Sequence, residues 1–154
     1  RNGNFYYADE DGNRILKIRP GIDVTVFAGS GTAALIDGVG TAAAFHNPSS
    51  LVADMAGNLI VNDFGNGAIR KISPDGTVTT IATTSKGRYI AVDGANNIFV
   101  NALRNIKRID VYGNITTFPL TSVTDPISDM VADQSGNLYL LTYGVGAQVC
   151  RVSF

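Results

Sequence analysis

The chain has 154 residues, of which 45% are hydrophobic and 16% charged, and its formal net charge is −1 with a pI near 5.7. This length and composition suit one domain with a buried core. The balanced charge excludes a general attraction to nucleic acid or to an anionic membrane, and the apolar stretches are too short to span a bilayer.

The first part of the chain, residues 1–28, predicts a unit of three short strands. Apolar runs at residues 5–9, 15–18 and 24–28 are separated by a polar loop and by the Pro20-Gly21 turn. Short apolar runs between clusters of turn residues are typical of an antiparallel meander. No run is long enough for an amphipathic helix.

A segment rich in Gly and Ala, residues 29–47, follows and predicts a long irregular link. Links of this length are usually either functional or packed down by their own side chains. We predict that Phe45, which stands among alanines, anchors the link by packing between two strand units rather than by contacting a ligand. We interpret His46, the only histidine, as a surface or loop-packing side chain.

Residues 48–82 predict a complete unit of four strands with every turn signal in place. The turn from Asp54 to Asn58 suits a carboxylate that accepts backbone N–H groups, since Gly and Asn tolerate positive φ. Asp93 and Asp133 begin similar turns, so we interpret all three aspartates as structural. The third and fourth units are predicted at residues 87–119 and 126–154, and the last unit contains three strands.

The turn pairs recur with spacings of 54, 39 and 40 residues, counted from Gly3-Asn4 through Gly57-Asn58 and Asn96-Asn97 to Gly136-Asn137. A period of about 40 residues with four strands per repeat predicts β-propeller blades. The expected fold is therefore all-β, with fourteen antiparallel strands grouped as three, four, four and three. It would be a portion of a larger propeller of about six blades, or of one completed by another molecule.

The repeat resembles the NHL family of β-propellers. The resemblance rests on matching motifs, namely Asp9 with Asn13-Arg14-Ile15, Gly57-Asn58 through Asp63, and Pro74-Asp75-Gly76. The long link is also similar to the inter-blade connection of bacterial NHL proteins. In the third and fourth units Ala102 and Thr142 stand where Asp9 and Asp63 do, so two of the four units lack this aspartate.

Topology places the loops between second and third strands on the same face as the links between blades. The resemblance to NHL-like propellers implies that ligands bind at such a face. The candidate binding residues on it are Asp9, Glu10, Asp11, Asn13, Arg14, His46, Asn62, Asp63, Asn66, Arg104 and Tyr143.

Catalytic chemistry has few candidates in this sequence. A Ser-His-Asp or Cys-His arrangement requires a histidine, and a zinc site cannot be built from His46 and from Cys150, which is expected to be buried in a strand. The acidic run from Asp9 to Asp11 lacks the spacing of a calcium loop and is interpreted as a solvated loop. We predict no catalytic residue, no cofactor and no bound metal.

Two functions of different class remain. The favoured one is a non-enzymatic binding or scaffold module of a secreted or cell-surface protein, recognising a protein or a glycan. Low charge, the many Thr, Ser, Asn and Gly residues and the long link favour it. The alternative is a propeller hydrolase or lyase of the lactonase kind, with an axial metal ion held by Asp or Asn side chains.

The predicted terminal units each present an apolar flank. We expect Phe5, Tyr7, Leu138 and Leu140 to lie on these flanks. Because burial of apolar surface stabilises association, we expect further blades or another copy of the chain against both ends.

Overall fold

The computed structural model describes residues 3–21, 23–84, 87–102, 104–121, 123, 125–144 and 146–152, and these are almost entirely β structure. They divide into two compact units, unit 1 (Arg1–Lys86) and unit 2 (Gly87–Phe154). Residues 1–2, at the start of the predicted first blade, and residues 153–154, at the end of the predicted fourth blade, lie outside the described residues. No described helix is long and apolar enough to cross a membrane.

Unit 1 contains two antiparallel sheets. Sheet 1 has the order β1-β2-β3 and sheet 2 the order β4-β8-β7-β6-β5. The strands are β1 (Phe5–Asp9), β2 (Arg14–Arg19), β3 (Asp23–Ala28), β4 (Gly38–Val39), β5 (Pro48–Ala53), β6 (Leu59–Asp63), β7 (Ala68–Ile72) and β8 (Thr77–Thr83).

Unit 2 also contains two antiparallel sheets, sheet 3 with the order β12-β11-β10-β9 and sheet 4 with the order β13-β14-β15. The strands are β9 (Ile90–Val92), β10 (Ile98–Ala102), β11 (Asn105–Ile109), β12 (Ile115–Pro119), β13 (Ile127–Ala132), β14 (Leu138–Thr142) and β15 (Val149–Val152). The grouping of three, four, four and three predicted strands is confirmed.

One strand was not predicted. The link was expected to be irregular throughout, but β4 pairs with β8 through Gly38 opposite Val78 and Val39 opposite Thr77. It is followed by a 3₁₀ turn at Gly40–Ala42. The link thus covers the outer edge of sheet 2, whose backbone groups would otherwise need water as a partner.

The turns between strands are built in one repeated way. Oδ1 of Asp54 accepts the N–H groups of Ala56 and Asn58, and Nδ2 of Asn58 donates to Oδ2 of Asp54. Gly57 has a φ of 84°, which glycine adopts without strain. Asp93 and Asp133 make the same three hydrogen bonds in their own turns, so the structural interpretation of these aspartates is confirmed.

A fourth copy of this turn joins β11 to β12. Asp110 accepts the N–H groups of Tyr112 and Asn114, and the Asn114 side chain donates to its second oxygen. The hydrogen bonds from Asn114, first from its side chain and then from its backbone, lower the pKa of Asp110. The signal was present in the sequence, because Asp110 to Asn114 repeats the Asp-x-x-Gly-Asn order of Asp54 to Asn58.

The core of unit 1 lies between its two sheets. Ile15 of β2 is fully buried together with Val61 of β6 and Ile72 of β7. Phe45 of the link is also fully buried in this cluster. Its predicted role as the packing anchor of the link is therefore confirmed.

The core of unit 2 corrects one expectation. Leu138 and Leu140 were expected on an exposed flank, but both have no exposed surface and pack with Phe99 and Ile106 of sheet 3. Side chains alternate along a strand, so the exposed positions of β14 are the other set, which includes Leu141.

Phe5 and Tyr7 of unit 1 are 63% and 57% exposed, as expected for the first flank. The half-buried Cys150 of β15 packs against the unit 2 core.

Replacement of Phe45 by alanine should destabilise unit 1 by about 3–5 kcal/mol, because it removes a fully buried ring and leaves a cavity. Equilibrium unfolding in urea measures the effect. Tyr112→Ala is the matched control, since Tyr112 is 87% exposed and its loss should leave the midpoint unchanged. Equal midpoints for Phe45→Ala and wild type would show that the ring does not anchor the link.

Candidate functional site

A buried arginine holds the long link against sheet 2. The side chain of Arg70 has no exposed surface. Its Nη1 donates to the carbonyl oxygen of Ala44 at 3.0 Å and to Oδ2 of Asp63 at 2.8 Å. Its Nη2 donates at 2.8 Å to the carbonyl oxygen of Ile36 and to Oδ1 of Asp37. Three of these four acceptors belong to the link, so the guanidinium group fixes the path of the link.

The same guanidinium group lies over the ring of Phe45, with 4.9 Å between its carbon and the ring centroid. A desolvated cation over an aromatic face is a favourable contact. Nε of Arg70 is buried without a hydrogen-bond partner, so the carboxylates and the ring have to offset its desolvation. We did not single out Arg70 from the sequence. The signal in the sequence was a cation in the middle of the strand β7. In the structure this residue pairs with the apolar Val61.

Asp63 is the second buried charge of this network. It is fully buried at the end of β6. Its Oδ1 accepts the backbone N–H of His46 at 2.7 Å, and its Oδ2 accepts Nδ2 of Asn66 at 2.8 Å in addition to Arg70. Both oxygens are therefore committed to holding the end of the link and the turn after β6.

Asparagine side chains bring three loops of unit 1 together. Oδ1 of Asn13 accepts the N–H of Asn47 at 2.9 Å, and Nδ2 of Asn47 donates to the carbonyl oxygen of Glu10 at 3.2 Å. Nδ2 of Asn66 donates to the carbonyl oxygen of Ala34 at 3.0 Å. We call the resulting surface the loop face and define it as residues 10–13, 30–36, 46–47 and 64–66.

Asp9 closes its own loop in the way that Asp63 closes the turn after β6. Its Oδ2 accepts Nε of Arg14 at 2.8 Å, and its Oδ1 accepts the N–H of Gly12 at 3.1 Å. The hydrogen bond from Arg14 is the main reason that the pKa of Asp9 lies below its usual value. Thr142 holds the equivalent position in sheet 4, where its hydroxyl group exchanges hydrogen bonds with the backbone of Gln148.

The other candidate residues are distributed unevenly. Asn62 is buried and donates to Oγ of Ser49, so it lies beneath the loop face. Asp11 is exposed, whereas Glu10 and His46 are half-buried. A Cβ on Gly65 would lie 2.5 Å from Cγ of His46, so the imidazole ring lies directly over the glycine.

Arg104 and Tyr143 belong to unit 2, and both are exposed. The backbone of each is held at the end of a strand. The carbonyl oxygen of Arg104 accepts the N–H of Leu120, and the N–H of Tyr143 donates to the carbonyl oxygen of Pro126. Their sequence neighbours Leu103 and Val145 lie outside the described residues.

The described residues do not fit a metal ion at the loop face. Within the described part of the chain, no three His, Cys, Asp or Glu side chains gather so that they could hold one. Asp9 and Asp63 are paired with Arg14 and Arg70 at 2.8 Å. An arginine at this distance competes with any cation for the same carboxylate oxygens.

No protein-family model matches the chain, and no curated protein matches its sequence. Solved β-propeller structures do match. A catalytically inactive variant of virginiamycin B lyase from Staphylococcus aureus with quinupristin has a TM-score of 0.69 and 13% identity, over 99% of this chain and 53% of that chain. A gluconolactonase from Xanthomonas campestris has a TM-score of 0.59 and 16% identity, over 97% of this chain and 68% of that chain.

A third similar structure is PorZ, a bacterial surface component of the type-IX secretion system of Porphyromonas gingivalis. It has a TM-score of 0.53 and 12% identity, over 99% of this chain and 20% of that chain. This chain spans about half the length of the virginiamycin B lyase. The fold of the chain is therefore all-β and of the β-propeller type, as a portion of about four blades.

Replacement of Asp63 by asparagine keeps the shape of the side chain but removes one of the two carboxylates that face Arg70. Loss of one member of a buried ion pair costs about 3–5 kcal/mol, so urea unfolding should show a large loss of stability. Asp23→Asn breaks a pair of the same length, 2.8 Å to Arg19, on the surface and should change little. Similar small losses in both variants would contradict the role given to Asp63.

Asp37 should make unit 1 sensitive to acid. Partial burial raises the pKa of Asp37. Hydrogen bonds from the N–H and Oγ1 of Thr80 and from Arg70, together with the positive charge of Arg70, lower it by more, so the pKa lies below 3.8. A lowered pKa contributes stability above the unfolded-state value, and this is lost as pH falls through the folded-state value.

The stability difference between wild type and Asp37→Asn should therefore be largest above pH 4 and shrink as pH falls below the ordinary pKa of 3.8. Urea unfolding at a series of pH values measures the difference. A difference that stays constant down to the lowest pH would exclude titration of Asp37 as its source.

Proposed function

We propose that this chain is a non-enzymatic binding or scaffold module of NHL type, belonging to a secreted or cell-surface protein. It recognises a protein or glycan partner through the loop face. The observation that carries the proposal is the use of side chains to fix this face. Contacts such as Asn47 to Glu10 and His46 to Asp63 join residues 37 and 17 positions apart. A surface fixed before binding loses little conformational entropy when a partner arrives.

The exposed groups of the loop face favour a polar partner with little charge. Ser30, Thr32 and Leu35 of the link are exposed, together with the carboxylate of Asp11. The half-buried imidazole of His46 offers a flat ring beside these hydroxyl groups. Hydroxyl groups and one aromatic ring suit the hydroxyl-rich and apolar faces of a sugar, or a polar loop of a protein. Arg104 and Tyr143 remain predicted binding residues of unit 2.

Two of the similar solved structures are enzymes, which favours one second candidate function. A lyase and a gluconolactonase share the fold, although at 13% and 16% identity the likeness concerns the fold alone. In the described part of this chain, the carboxylates of Asp9 and Asp63 bind Arg14 and Arg70 instead of being free to hold a metal. We therefore place the lactonase-like reaction second.

Binding to a panel of immobilised glycans and purified bacterial surface proteins tests the favoured function. His46→Ala should weaken any specific signal roughly tenfold, because we assign the imidazole to the few contacts whose truncation costs more than about 1 kcal/mol. Met55→Ala is the control, because Met55 is 59% exposed and lies in the Asp54 turn, outside the loop face. Equal losses in both variants, or no specific signal on the panel, would contradict the proposal.

The same protein should not hydrolyse sugar lactones above the uncatalysed rate in the presence of Mg²⁺, Ca²⁺, Mn²⁺ or Zn²⁺. Elemental analysis of the purified protein should give no stoichiometric metal. Hydrolysis that Asp9→Asn or Asp63→Asn abolishes in a folded variant would support the enzyme instead of the binding module.

A further inference from the structure

The outer edge of sheet 3 is formed by β12. This strand stands at the end of the order β12-β11-β10-β9, so among the described residues no further strand pairs with its outer side. In sheet 2 the outer strand β8 has such a partner, because β4 of the link pairs with it. The backbone groups of an edge strand can pair with a segment of another chain. Sheet 2 therefore shows which kind of segment the edge of sheet 3 can accept.

The two outer strands carry the same pair of residue types at matching positions. Thr80 of β8 lies opposite Arg70 of β7, and Thr117 of β12 lies opposite Lys107 of β11. In both sheets the threonine is two residues after an apolar residue that begins the outer ladder, Val78 or Ile115. A cation and a threonine thus stand side by side at the edge of each sheet.

In sheet 2 this pair holds the Asp37 carboxylate of the link. Nη2 of Arg70 donates to Oδ1 of Asp37 at 2.8 Å. The N–H of Thr80 donates to Oδ2 at 3.1 Å, and Oγ1 of Thr80 donates to Oδ1 at 2.9 Å. Gly38 and Val39 then pair with β8. An aspartate followed by two strand residues therefore suffices to place a segment on this edge.

The matching groups of sheet 3 have no acidic partner. Lys107 is half-buried, and none of the ion pairs among the described residues includes it. Ile115 is 45% exposed, whereas Val78, at the same position beside β4, is 1% exposed. A carboxylate that accepts hydrogen bonds from an ammonium group makes a stronger contact than a neutral acceptor does. The edge of sheet 3 therefore favours an acidic segment.

The turn beside this edge adds exposed apolar surface. Val111 and Tyr112 are 61% and 87% exposed. In the matching turn of sheet 2, the carbonyl oxygen of Gly76 accepts the N–H of Gly40 of the link at 3.0 Å. Gly113 holds the place of Gly76 in the turn between β11 and β12. A segment that follows the path of the link would reach this carbonyl group and lie beside the two exposed side chains.

The sequence of β12 limits the segment to a short one. Because Thr80 donates its N–H to the link, the matching N–H of Thr117 points away from β11. Backbone groups alternate between the two sides of a strand, so Ile115 and Pro119 share this outer side. Proline has no N–H, so an added ladder has no donor beyond Thr117. β4 is equally short, with two residues.

We propose that the edge of β12 binds an extended segment of a partner protein, in which an aspartate is followed by a glycine and a β-branched residue. The segment adds antiparallel to β12 as β4 adds to β8, and its aspartate binds Lys107 and Thr117. Strand addition takes affinity from main-chain hydrogen bonds and specificity from side-chain contacts. In sheet 1 the positions of the cation and the threonine hold Leu16 and Val26, so its edge lacks this specificity. β12 lies outside the loop face, and the proposal is independent of the function assigned to that face.

A peptide of residues 33–41 of this chain is the probe, because it contains Asp37, Gly38 and Val39. NMR titration of the full chain measures the dissociation constant, and hydrogen exchange shows which N–H groups the peptide protects. We expect saturable binding with protection of the N–H groups of Ile115 and Thr117.

A double-mutant cycle tests the charge contact. Lys107→Gln should weaken binding of the peptide roughly five- to tenfold, and the Asp37→Asn peptide should bind the wild-type chain more weakly by a similar factor. Lys107→Gln should cause no further loss with the Asp37→Asn peptide, because both changes remove the same contact. Lys71→Gln is the matched control, since it removes a half-buried lysine of β7, and it should bind the peptide as wild type does.

Four results would overturn the proposal. Lack of binding at millimolar peptide would show that the edge does not accept the segment. Protection of Thr80 in place of Thr117 would show that the peptide replaces the link on sheet 2. Equal affinities of wild type and Lys107→Gln would exclude the charge contact. Dimers of the wild-type chain that protect Thr117 without peptide would show that a second copy occupies the edge.

Discussion

The loop face of unit 1 depends on the hydrogen bonds and ion pairs made by the buried guanidinium group of Arg70. A cation without exposed surface is tolerated only where oxygen atoms surround it. Asp63 supplies one of these atoms from sheet 2 itself, but the carbonyl groups of Ala44 and Ile36 have to come from the link. The link therefore cannot relax outward without leaving a buried charge unsatisfied. Once it is in place, Phe45 fills the core and the neighbouring loops have a fixed partner.

Strands β1, β6, β10 and β14 end on residues that have the same structural role although their side chains differ in chemistry. Asp9 and Asp63 hold a loop through arginine and backbone donors, and Thr142 does so with a hydroxyl group. In sheet 3 the position holds the small, buried Ala102, and the side chain of the preceding Asn101 accepts the N–H of Tyr89. The task is to tie the following loop or the incoming strand to the sheet. This explains why the aspartate can be absent from two of the four sheets without loss of the strand pattern.

Features that depend on neighbouring residues could be predicted from the sequence, whereas those that depend on distant ones could not. The strands and the Asp54-type turns follow from patterns within five to seven residues. The side of β14 that faces the core could not be read, because Leu138 to Leu141 are all apolar or aromatic and show no alternation. β4 is only two residues long and exists through its pairing with β8. The candidate site was equally hard to predict, because Asp63 lies in the interior as the partner of the buried Arg70.

The turn after β6 also affects the deamidation of Asn66. Asn66 precedes Gly67, and an Asn-Gly pair deamidates when the glycine nitrogen, losing its proton, attacks the side-chain carbonyl carbon and the side-chain nitrogen leaves as ammonia, which closes a succinimide ring. Here the N–H of Gly67 donates to the carbonyl oxygen of Phe64, and Nδ2 of Asn66 donates to Ala34 and Asp63. Both reacting groups are held by the fold, and Gly67 has a φ of 61°. Isoaspartate formation at Asn66 therefore requires the hydrogen bonds of this turn, and not only the contact with the link at Ala34, to open first.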